Sequence, residues 1–118
     1  MDLRNYAVLF GIVFILIGIL GFIPGITVDN KLLGLFQVDA IHNSVHLLSG
    51  VLALLASAKF SYAGLYFQIF GVIYAIVTIA GFLLNGNLFI MHVNMADNFL
   101  HLGIALLALY LGFMHKYP

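Results

Sequence analysis

Residues Tyr6 to Ile23 carry no charged side chain and form a run long enough to cross a bilayer, which takes about 20 residues. Three further apolar runs follow, from about Ile41 to Ala58, from Tyr62 to Leu84 and from about Asn98 to Phe113. Pro24-Gly25 ends the first run and Asn85-Gly86-Asn87 ends the third, both turn-forming sequences. Four such runs in 118 residues leave no room for a soluble domain beside them. Only 7% of the residues are charged and 64% are hydrophobic, whereas a soluble domain carries about a quarter charged residues. The pattern predicts an all-α, integral membrane four-helix bundle, with residues 1–118 forming one transmembrane domain. The competing reading is an apolar subunit buried inside a larger soluble assembly. For the first run alone a signal peptide competes. Asp2 beside Arg4, a run too long for an h-region and no small-residue cleavage site argue against it.

The few charges decide orientation. Arg4, Lys59 and Lys116 fall on the side of both termini and Lys31 on the other, so the positive-inside rule predicts cytoplasmic termini in a multi-pass protein. Four Lys+Arg balance four Asp+Glu, and nothing in that balance points to nucleic acid. The chain has no cysteine, which excludes disulfides, thiolate metal sites and a catalytic thiol.

The sequence also repeats itself. Phe10 to Phe22 aligns with Phe70 to Phe82 at an offset of about 60, and Asp39 to His46 aligns with Asn94 to His101 at an offset of about 55. Two duplicated helical hairpins follow, residues 6–58 and 62–113. Both start on the same side, so the expected relation is parallel repeats about a pseudo-twofold axis along the membrane normal. The short link Lys59-Phe60-Ser61 predicts that the second and third helices are antiparallel neighbours. The second and fourth should then lie diagonally. Two apolar clusters in the other links (Leu32, Leu33, Leu35 and Phe36; Leu88, Phe89, Ile90 and Met91) are too short to cross. They are expected to lie on the membrane surface or fold over the bundle end. Stripes of small residues run down each span, such as His46, Gly50, Ala53, Ser57 and His101, Ala105, Ala108, Gly112. They predict close helix packing, which lipid favours because the hydrophobic effect does not press helices together there.

The motifs FGIVFILIGILGFIPG, LLGLFQV, HNSVHLLSG, a second FG-x-x-Y span and ADNFLHLGIA resemble the bacterial family known as domain of unknown function 4383. The resemblance covers nearly the whole chain, with a shorter second loop. It implies a small four-helix protein of the bacterial inner membrane and carries no activity with it.

The clustered side-chain chemistry lies in Val38–Gly50 and its echo Val93–Ala105. Asp39, His42, Asn43 and His46 share one helix face, and Asn94, Asp97, Asn98 and His101 occupy the same steps in the second copy. The first expectation is a structural polar network of these eight residues, with Asn43 and Asn98 bonding the histidines across helices. It would lock the hairpins of an accessory or structural subunit in contact with membrane lipids, a larger membrane complex or a second copy. An alternative is a haem or other tetrapyrrole ligated by His46 and His101. Another is a metal held by His42, His46, His101, Asp39 and Asp97, with His92 a further candidate. Proton or solute transport is the remaining alternative, because intramembrane ionisable residues are functional candidates. The sequence shows no nucleophile–base pair, so no enzyme and no resident cofactor are expected.

Overall fold

A computed structural model describes residues 1–115. Helix α1 (Leu3–Leu20) leads into three short strands, β1 (Thr27–Val28), β2 (Lys31–Leu32) and β3 (Phe36–Gln37). Helices α2 (Ala40–Ala56), α3 (Phe60–Leu83) and α4 (Met95–Phe113) complete the chain. The protein is an all-α four-helix bundle with a small antiparallel sheet, order β1-β2-β3, in its first long link.

That sheet is where the structure departs from the expected surface-lying segment. Asp29 and Asn30 take positive φ between β1 and β2, the backbone that a tight hairpin requires. Leu32 and Val38 turn inward and are buried, so the link folds over the bundle end. Asn94 Nδ2 donates to the Leu35 carbonyl, and His92 N donates to Asp39 Oδ2 at 3.4 Å, which ties both long links together at this end. At the opposite end His115 Nε2 donates to the Met1 carbonyl, which ties the segment just after α4 to the start of the chain. Lys116, one of the cations used to orient the chain, lies outside the described residues.

The helices pair as two hairpins, α1 with α2 and α3 with α4, while α2 and α3 touch far less than the short link suggested. Glycine is the reason. A Cβ on Gly50 would stand 2.8 Å from the Gly11 carbonyl and 2.9 Å from the Ile15 nitrogen, so α1 and α2 meet backbone to backbone. A Cβ on Gly112 would stand 2.6 Å from the Gln68 nitrogen, which puts α4 equally close to α3. Such approach gains dispersion contacts that large side chains would prevent, and in lipid these stand in for the missing hydrophobic force. Between the hairpins run aromatic contacts, Phe10 on Phe67 edge-on at 4.9 Å and Phe14 stacked on Tyr74 at 5.5 Å. The two hairpins bury corresponding positions: Gly11, Phe14 and Gly18 in α1 with its C-cap Gly21, and Gly71, Tyr74, Thr78 and Gly81 in α3.

The outside of the bundle is apolar, unlike that of a soluble protein. Val8, Leu9, Ile12, Leu16 and Ile19 of α1 are exposed, as are Leu65, Ile69, Ile76 and Ile79 of α3. The buried set includes His42, Asn43, His46, Ser49, Asp97, Asn98 and His101. Apolar surface on that scale is stable against lipid and not against water. Helices α1, α3 and α4 are long and apolar enough to cross a membrane, whereas α2, at 17 residues, is shorter. At about 1.5 Å per residue α2 spans about 25 Å, a little under the hydrocarbon thickness. The protein is a membrane protein.

Candidate metal centre

The polar residues sort into three groups with different surroundings. The first caps helices. Asp39 is the N-cap of α2, and its Oδ1 accepts from His42 N at 2.8 Å. Asn94 is the N-cap of α4, and it forms a reciprocal box with Asp97: Asp97 N donates to Asn94 Oδ1 at 3.0 Å and Asn94 N donates to Asp97 Oδ2 at 2.9 Å. These bonds satisfy amides that the first turn of a helix leaves open. Both carboxylates are thereby turned to backbone. Replacing Asn94 with alanine should cost about 0.5–2 kcal/mol, read as a lower unfolding temperature in detergent, because the cap and the tie to Leu35 go together.

The second group packs within each hairpin. Asn43 sits against Gly21, and Asn98 sits against Gly81, so closely that a Cβ on either glycine would overlap the carboxamide. Neither Oδ1 has a hydrogen-bond partner. The expected Asn–His bonds across helices are absent among the described residues, because each asparagine is held by its own hairpin's glycine instead.

The third group is the three histidines. His42 and His46 are one turn apart on α2 and His101 lies on α4, with residue exposures of 1%, 2% and 1%. Their rings crowd together: His42–His46 at 4.5 Å, His42–His101 at 5.5 Å and His46–His101 at 5.9 Å between centroids. One nitrogen from each ring lies within 4.8 Å of the others. Both nitrogens of His42, both of His46 and Nδ1 of His101 are buried without a hydrogen-bond partner. The backbone of Gln37 lies beside the His42 ring but short of hydrogen-bond geometry. Unpaired buried polar groups are rare and costly, about 1–3 kcal/mol each, so a cluster of them calls for a reason.

A cavity of about 50 Å³ adjoins the three rings, lined also by Ser49, Tyr74 and Met91. Ser49 Oγ and Tyr74 Oη share a hydrogen bond of 3.1 Å, and Tyr66 donates to the Ser49 carbonyl at 2.9 Å. The tertiary structure thus joins His42, His46 and His101 without Asp39 or Asp97, while Asn94 caps α4 and Asn43 and Asn98 pack on glycines. The His92 side chain is exposed, and its backbone alone reaches Asp39. Ser49, Tyr74 and Met91 are not singled out by the sequence pattern. Ser49 was discoverable, being three residues after His46 and so on its face. Tyr74 is the counterpart of Phe14 with a hydroxyl added. No periodicity in the chain points to Met91.

The profile of the family described as "Domain of unknown function (DUF4383)" matches residues 4–114, and the chain belongs to that family. No curated protein and no solved structure matches it.

Proposed function

We propose that this family member is a non-enzymatic, multi-pass membrane protein that holds one transition-metal ion through His42, His46 and His101. The observation that carries the reading is three buried imidazoles within 4.8 Å of one another, almost none of whose nitrogens has another partner. A tetrahedral ion bonds imidazole at about 2.0–2.1 Å, which sets the nitrogens about 3.4 Å apart. Closing the present spacing takes no more than about 1.5 Å, within reach of small side-chain rotations. A purely structural network would leave the rings bonded to neighbours. The alternative of a tetrapyrrole between His46 and His101 is disfavoured by space, since the adjoining cavity of about 50 Å³ suits an ion or a water and not a macrocycle.

The two hairpins are read as parallel repeats, supported by the corresponding positions they bury. On the positive-inside rule, Arg4 and Lys59 place the end carrying both chain ends in the cytoplasm of a bacterial inner membrane. The metal then lies toward the outer face, where an accessory subunit would present it to a partner complex.

Titration of detergent-purified protein with Co(II), a spectroscopic stand-in for Zn(II), should show one equivalent bound. His42→Ala, His46→Ala and His101→Ala should each weaken binding by about tenfold or more. Equal binding by the parent and all three variants would remove the proposal.

A further inference from the structure

We infer that the ion is monovalent copper, with the Met91 thioether as its fourth donor; this rests on the metal reading above. Met91 belongs to a short apolar cluster in the link before α4, and its neighbours Phe89 and Ile90 are 83% and 67% exposed. Met91 is 7% exposed and lines the cavity shared by the three histidines. Its carbonyl accepts from Leu88 N at 3.0 Å, and the Asn87–His92 bridge closes the link around it. The link therefore buries Met91 and Val93 and leaves Phe89 and Ile90 outside.

The donor set is then three imidazoles and a thioether, all neutral. No carboxylate joins the group among the described residues, because Asp39 and Asp97 face backbone amides. The cost of burying an ion rises with the square of its charge, so a dication left uncompensated here costs about four times as much as a monocation. The remaining lining, Val45, Phe70, Ile73 and Val77 with the Ser49 and Tyr74 hydroxyls bonded to each other, carries no anionic side chain. Thioether and imidazole donors without carboxylate suit Cu(I), whereas divalent zinc gains little from a neutral sulfur. Charge and softness select the same ion.

The test uses the full chain in detergent under reducing, oxygen-free conditions. Cu(I) affinity is measured against a chelator of known affinity, and Zn(II) affinity is measured in parallel. The parent should bind one Cu(I), at least about tenfold more tightly than Zn(II), with a sulfur scatterer in its copper X-ray absorption spectrum. Met91→Leu should remove that scatterer and weaken Cu(I) by about tenfold or more, leaving Zn(II) within about threefold and so reporting an intact histidine group. If the parent holds Zn(II) through its histidines but Cu(I) no more tightly, the copper assignment fails and the metal reading stands. The copper assignment fails in the same way if Met91→Leu leaves Cu(I) affinity and the sulfur signal unchanged. A parent that binds neither ion overturns both.

Discussion

Replacing His46 with leucine should make the metal-free protein more stable by about 1–2 kcal/mol while abolishing its metal binding. Both His46 nitrogens are buried without partners, a cost of about 1–3 kcal/mol for an unpaired polar group. Leucine has similar bulk and no polar atoms, so it relieves that cost. It also loses the ring contacts of His46 with His42 at 4.5 Å, His101 at 5.9 Å and Phe14 at 5.8 Å, of which the Phe14 contact is an aromatic pair worth about 0.5–1.5 kcal/mol. The first effect is the larger, so the net sign is stabilising. Were the histidine a structural bonding partner, leucine would destabilise, because the group it leaves would be unsatisfied. The measurement is unfolding in mixed detergent with and without metal. A rise in stability without metal, joined to loss of the metal-induced increment, supports a site whose cost is repaid only by its ligand. A fall in stability without metal would show that His46 has a partner and would favour the structural network.

Gly50→Leu should abolish accumulation of folded protein, whereas Gly103→Leu should leave stability unchanged or slightly higher. The two glycines lie inside helices and differ in what faces them. At Gly50 the first added atom meets the Gly11 carbonyl at 2.8 Å and the Ile15 nitrogen at 2.9 Å, and backbone cannot rotate away. Overpacking of a core that can adjust costs about 1–3 kcal/mol. Here the two helices themselves must separate, so the cost should exceed that range. At Gly103 nothing stands within 4 Å, and the residue lines an open apolar cleft of about 410 Å³ between α1 and α4. Leucine there adds only helix propensity, about 0.8 kcal/mol at most. Expression level and thermal unfolding in detergent read both variants. Equal behaviour of the pair would mean that α1 and α2 do not meet through Gly50.

The sequence alone determined much of the frame. Uncharged apolar runs bounded by Pro24-Gly25 and Asn85-Gly86-Asn87 located the helices, because a segment in lipid must satisfy its own backbone. Asp39 and Asn94 were legible as polar residues in step with the histidines, whereas the structure makes them the N-caps of α2 and α4. The common face of His42 and His46 followed from their spacing of four. The tertiary structure decided the rest. Helical spacing states which residues share a face but not how far that face is rotated toward another helix. The approach of His101 to His42 therefore depended on how the two glycine-packed hairpins dock. The strands in the first link came from turn geometry at Asp29 and Asn30, which an apolar cluster in a short link does not reveal. Met91 and Phe89 look alike in the sequence, and only the folded link separates them, burying Met91 against the cavity beside the histidines and leaving Phe89 exposed. The missing partners of the ring nitrogens are likewise a property of what surrounds them. Donors and acceptors can be counted in a sequence, but whether two of them meet is fixed by packing.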